Sequence, residues 1–170
     1  MNYFFITGTS RGIGKALAEE ILKSDKNFIT GISRTKTIEN QNYKHILIDL
    51  GDLKKIENFK FDNFRDAQKI VLINNSAVLG EVNQLGKKSN SDIVTSFNIN
   101  TIAPAILMNK FIAKYQDFDC ERIILNISSG SGRYPTASWS TYCSTKAALD
   151  MFSEVADKEQ KEMSENKRIR

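Results

Sequence analysis

The stretch YFFITGTSRGIGKALAEEILK, Tyr3 to Lys23, joins three unlike pieces of chain. Tyr3 to Ile6 is a short apolar run of strand length, and Ile13, Leu17 and Ile21 recur four apart, as they would along one face of a helix. Between them lies Thr7-Gly8-Thr9-Ser10-Arg11-Gly12-Ile13-Gly14. Glycines let a backbone turn tightly and approach a ligand closely, and the start of a helix presents free N–H groups to an anion. Strand, glycine turn and helix in this order open a βαβ unit of the kind that holds a dinucleotide pyrophosphate, with Gly8, Ser10, Arg11, Gly12, Ile13 and Gly14 as the candidate cradle. The glycine spacing is GxxxGxG rather than GxGxxG. An ordinary turn is the competing reading, and the fit of both flanks weighs against it.

Working outward, further strands are predicted at Phe28 to Ile32, His45 to Asp49, Ile70 to Asn74 and Arg122 to Ile127. Helices are predicted near Ile13 to Lys23, Asp92 to Lys114 and Tyr142 to Glu162, with Pro104 expected to kink the second. Alternating strands and helices imply an α/β fold, a Rossmann-type doubly wound parallel sheet with five strands present. The whole of residues 1–170, 41% of them hydrophobic, reads as one dinucleotide-binding domain. The net charge of +4 is spread through both signs without a basic block interleaved with aromatics, which argues against a nucleic-acid partner. With no run of 18 apolar residues and no leader before the first strand, no membrane association and a cytoplasmic location are expected. Cys120 and Cys143 have neither metal nor disulfide spacing and read as free thiols, and no metal site is expected. His45, the only histidine, reads as structural.

A second constellation lies in ISSGSGRYPTASWSTYCSTKAALDMF. Ser129, Tyr142 and Lys146 can together run acid chemistry on a carbonyl oxygen. Tyr142 and Lys146 are four apart, so on a helix they share a face. An ammonium beside a phenol favours its ionised form, which makes such a tyrosine a usable proton donor near neutral pH. YxxxK also occurs as a packed ring beside a solvated charge, so the pair gains meaning only from its company.

Taken together, TGTSRGIG, the NNSA of Asn74 to Ala77, Asn100, Ser129 and YCSTK resemble the short-chain dehydrogenase/reductase family, most closely its sepiapterin reductase and bacterial benzil reductase branch. The resemblance covers nearly the whole chain. It implies an oxidoreductase that reduces a small ketone or diketone by hydride transfer from a nicotinamide cofactor. Within it Tyr142 is the proton donor, and Ser129 hydrogen-bonds the substrate carbonyl, with Ser128 as the neighbouring rival. Lys146 tunes Tyr142 and binds the nicotinamide ribose. Asn100, preferred over Asn98 because Ala103 follows three positions later, holds a water that relays protons to the lysine. Asn75 belongs to the cofactor wall, where Ala77 replaces the usual Gly. Asp49, followed by Leu50, is placed against the adenine, with turn formation as an equal alternative. NADP is the expected cofactor: no carboxylate stands between Phe28 and Thr35 to take a ribose 2′-hydroxyl, whereas Arg34, with Arg11 nearby, suits a 2′-phosphate. Both arginines as solvated loop charges is the bland alternative.

Two departures from the family stand out. Ser33 to Lys44 leaves little room for a crossover helix between the second and third strands. Family members run to roughly 250 residues, still single-domain size, so the domain reads as incomplete at the C-terminus, with the later strands and the substrate lid missing. Ile123-Ile124-Leu125 is then expected to form an open sheet edge, and the chain to be poorly stable and inactive alone. The full-length form is expected to be a homo-oligomer. The functional alternatives are a non-catalytic dinucleotide-binding or sensing protein and an inactive fragment of a reductase.

Overall fold

The computed structural model describes residues 1–64 and 66–170. Strands β1 (Asn2–Thr7), β2 (Asn27–Ser33), β3 (Tyr43–Leu47), β4 (Lys69–Asn74) and β5 (Glu121–Asn126) form one parallel sheet in the order β3-β2-β1-β4-β5. The chain runs out through β2 and β3, then returns to the far side of β1 for β4 and β5. The strand order therefore reverses between β1 and β4, the place where open parallel sheets bind ligands. This is the doubly wound Rossmann-type sheet that the alternation of elements predicts.

Both faces of the sheet are buried, which is why β4 reads Ile70-Val71-Leu72-Ile73 without a polar break. Ile70 and Leu72 join Phe5 in one core, under Leu107 and Phe111 of helix α4 (Ala103–Tyr115). Val71 and Ile73 join Ile6 in the other, against Ala18 of helix α1 (Gly12–Ile21). The remaining helices are α2 (Leu53–Asn58), α3 (Asn90–Phe97) and α5 (Ser140–Lys161). Among the described residues no helix is long and apolar enough to cross a membrane. Cys120 and Cys143 are both free.

Several boundaries differ from the expectation, each for a local reason. β3 begins at Tyr43 rather than His45, because the Tyr43 hydroxyl, 2.8 Å from Thr9 Oγ1, anchors the strand start over Gly31. A Cβ on Gly31 would meet that hydroxyl at 2.0 Å. His45 follows, its Nδ1 at 3.2 Å from the same hydroxyl. No helix joins β2 to β3, as the short connection requires, and Ile38, 5% exposed, fills the space against the second core. Helix α2 escaped the sequence reading. Its start is marked by Asp52, whose side chain accepts from Lys55 N at 3.2 Å.

The predicted helix from Asp92 to Lys114 is interrupted, but by a wider turn rather than by a kink at Pro104. Asn98–Ile102 is a π-turn between α3 and α4, in which Ala103 N–H reaches back five residues to Asn98 O. Pro104 has no N–H to offer the Asn100 carbonyl. Ile99 and Asn100 thus lose their ordinary α-helical donors at successive positions.

The expected open edge of β5 is partly covered. Arg170 N donates to Arg122 O at 2.9 Å and Ile124 N donates to Arg170 O at 2.6 Å, so the last residue pairs with the first half of the strand. The tail is held there by Arg122, 4% exposed, which donates to the carbonyls of Gln116 at 2.8 Å and Asn166 at 2.6 Å. Ile169 is buried in the core. Farther along β5, Leu125 is 45% exposed.

Candidate functional site

At the C-terminal ends of the strands, over the boundary between β1 and β4, lies a cleft of about 370 Å³, within the size range of ligand sites. Gly8, Ser10, Arg11, Gly12, Ile13, Arg34, Asp49, Leu50, Asn75, Tyr142 and Lys146 all line it. Residues separated by more than a hundred positions thus meet at one place. Gly14, Asn100 and Ser129, also predicted from sequence, do not line it.

Gly8 and Gly12 take φ values of +77° and +58°, in the left-handed region that favours glycine. Gly14 is needed for a different reason. A Cβ there would lie 2.3 Å from both Gly8 O and Asn75 Nδ2, so its bare backbone lets α1 dock against the end of the sheet. Asn75 braces the same junction from β4: its Nδ2 donates to Thr7 O at 3.0 Å, and its N–H donates to Thr7 Oγ1 at 3.0 Å. Ala77 keeps a negative φ, so alanine in place of glycine introduces no strain. No side chain caps α1 and no acid stands in its first turn, which leaves its N–H groups free for an anion at the cleft.

Arg11 and Arg34 are exposed on the cleft, and neither forms a salt bridge among the described residues. Asp49 Oδ1 accepts from Gly51 N at 2.9 Å, so the turn-forming role is real even though the residue also lines the cleft.

On the opposite wall, Lys146 is only 2% exposed and its Nζ donates to Ile127 O at 2.7 Å. The ammonium lies 5.8 Å from the centre of the Tyr142 ring. Burial pushes the Lys146 pKa down, opposed by the charge of Asp150. The Tyr142 ring packs edge-on against Trp139, with centroids 5.9 Å apart. Asn100, 1% exposed, is fully engaged by protein: Oδ1 accepts from Val78 N at 2.8 Å, and Nδ2 donates to Val78 O at 2.8 Å and to Thr145 Oγ1 at 3.1 Å. Ser129 Oγ accepts from Ser131 N at 3.2 Å, capping the 3₁₀ turn Gly130–Gly132. Its neighbour Ser128 lines the cleft, with an Oγ that is buried and unpaired among the described residues. Thr7, Thr101 and Thr145 take part in these networks and escaped the sequence reading. A buried threonine has the same signature in sequence as a packing residue.

The buried Lys146 ammonium carries a cost that gives a prediction. Its folded-state pKa lies below the unfolded one, so the chain releases a proton on folding between the two values and stability rises with pH through that window. Lys146→Met should therefore raise the Tm of the cofactor-free chain at neutral pH. The gain should shrink as pH approaches the ordinary lysine range. Thermal unfolding across pH measures this, and a lower Tm for the variant at neutral pH would count against a strained, desolvated ammonium.

Comparison with known proteins agrees with this geometry. The short chain dehydrogenase family profile matches residues 2–167. A benzil reductase ((S)-benzoin forming) of Bacillus cereus is 34% identical over 95% of this chain and 70% of its own length. A benzil reductase of Bacillus subtilis (strain 168) is 30% identical over 95% of this chain and 69% of its own length. Among solved structures, a short-chain dehydrogenase/reductase from Burkholderia vietnamiensis superposes with a TM-score of 0.80 at 26% identity, covering 98% of this chain and 81% of that one. With its glycine turn, parallel sheet and Tyr142–Lys146 pair in place, the chain belongs to the short-chain dehydrogenase family of oxidoreductases.

Proposed function

We propose that the cleft binds NADPH and that the protein reduces a small ketone or diketone to an alcohol. One observation carries the reading: Tyr142 and Lys146 line the same cleft as the glycine turn. The residues present suit a dinucleotide. Gly8 and Gly12 give the turn its shape, Gly14 brings α1 close, and the uncapped start of α1 suits a pyrophosphate. Arg34 and Arg11 would take the 2′-phosphate in charge-assisted contacts. Asp49 and Leu50 would border the adenine, and Asn75 the middle of the cofactor. When bound, a reduced nicotinamide supplies the hydride that the carbonyl carbon accepts.

The chain's own residues handle the proton. Tyr142 donates its phenolic hydrogen to the carbonyl oxygen as charge builds there, which completes the alcohol. Lys146 stabilises the phenolate left behind, and its burial strengthens that interaction. Ser129 would orient the carbonyl: its Oγ accepts from Ser131 N, which leaves the hydroxyl hydrogen free to donate. Asn100, whose side chain is fully engaged, would contribute through its backbone carbonyl, which lacks its α-helical donor at Pro104. The names of the benzil reductases support a diketone class.

Calorimetric titration should show NADPH binding about tenfold or more tighter than NADH, since a charge-assisted contact to Arg34 contributes about 1.5 kcal/mol or more. Arg34→Asp should reverse the order. Equal affinities in the parent chain would remove the phosphate role. For chemistry, Tyr142→Phe keeps the ring and deletes the proton, so turnover of a diketone should fall by roughly two to four orders of magnitude while NADPH affinity stays within about twofold. Undiminished turnover refutes the proton-donor role. NADPH binding by the parent chain without any turnover is the outcome expected of both alternatives, the binding or sensing protein and the inactive fragment of a reductase.

A further inference from the structure

The part of α5 that carries Tyr142 and Lys146 is pinned from behind by hydroxyl groups. Thr145 is 0% exposed and Thr101 5% exposed. Thr145 Oγ1 donates its one hydrogen to Tyr142 O at 2.8 Å, so a lone pair is left to receive Asn100 Nδ2 at 3.1 Å. From the π-turn, Thr101 Oγ1 donates to Thr145 O at 3.1 Å. Asn100 is itself fixed on both sides of its amide by the Val78 backbone. Three segments therefore meet at one buried polar point: the site turn of α5, the π-turn Asn98–Ile102 and the chain after β4.

Apolar packing alone holds a helix weakly against rotation and sliding, because it is non-directional. Much of α5 offers little even of that, with Met151, Phe152 and Val155 exposed at 60%, 50% and 45%. Hydrogen bonds have direction, and these act between the two residues that matter, three positions after Tyr142 and one before Lys146. A small rotation here would move phenol and ammonium together and would break the Lys146 Nζ bond to Ile127 O.

We propose that Thr145 and Thr101 are positioning residues whose hydroxyls set the rotation and register of α5 against the π-turn, so that Lys146 reaches the Ile127 carbonyl and Tyr142 faces the cleft. Their effect on turnover rests on the carbonyl-reductase reading above. Their effect on Lys146 does not.

Heteronuclear NMR of the lysine ammonium groups in the cofactor-free chain reads the second effect directly. The hydrogen-bonded Lys146 ammonium should give a protected signal, assigned by its loss in Lys146→Met. Thr145→Val, which keeps the shape and deletes the hydroxyl, should lose that protection, and Thr145→Ser should keep it. NADPH affinity and diketone turnover should follow the same order, with kcat for Thr145→Val down about tenfold to a hundredfold and KM changed less. If Thr145→Val does not fold, Thr101→Val carries the same expectation, since it removes a separate bond of the same junction, the one from the π-turn to Thr145 O. A protected signal with parental NADPH affinity in the valine variant overturns the proposal, and so does equal loss in valine and serine variants, which would mean packing rather than hydrogen bonding. A parent chain with the protected ammonium but no NADPH binding would sink the cofactor reading and leave the positioning role standing.

Discussion

The close approach of Gly14 to Gly8 and Asn75 governs the rest of the molecule. With no Cβ at Gly14, the first turn of α1 sits directly on the ends of β1 and β4, where any side chain would collide at 2.3 Å with a carbonyl and an amide. That contact fixes the glycine turn, aims the free N–H groups of α1 into the cleft and locks the turn to β4 through Asn75 and Thr7. The strand order then does the remainder. Because β4 lies beside β1 on the side away from β2, the chain ends after β4 and β5 rise on the far wall, and α5 brings Tyr142 and Lys146 to face the turn.

Around this junction the chain breaks local rules where the candidate chemistry would be. Lys146 is buried without a carboxylate bonded to it, and the helix before α4 widens into a π-turn at Asn98–Ile102. Features of this kind cost stability and collect at functional sites. Behind them the side chains of Asn100 and Thr145 are closed off by hydrogen bonds, with every side-chain donor in use. A fully satisfied buried network rigidifies its surroundings.

Much of this was legible in the sequence because periodicity and glycine placement are local signals. The strand, turn and helix of Tyr3 to Lys23 needed no knowledge of distant contacts, and the alternation of strands with helices marked a parallel sheet covered on both faces. What was not legible depends on long-range contact. β3 starts early because Tyr43 finds Thr9 across the sheet. Pro104 announced a disturbance in the helix, but the π-turn that resolves it depends on how Asn100 is gripped by Val78 and Thr145. The edge of β5 was expected to be open, whereas the tail folds onto it through Arg122, an interaction no spacing rule could reveal. The sequence favoured Ser129 over its neighbour, yet it is Ser128 that lines the cleft.

If this junction holds a dinucleotide, amide NMR of the chain titrated with NADPH will locate it. Shifts should concentrate at Gly8, Gly12, Ile13 and Gly14 in the turn, at Asn75 across from it and at Tyr142 and Lys146 on the far wall, and should saturate together. No saturable shifts, or shifts gathered away from the ends of β1 and β4, would rule out a dinucleotide at this junction.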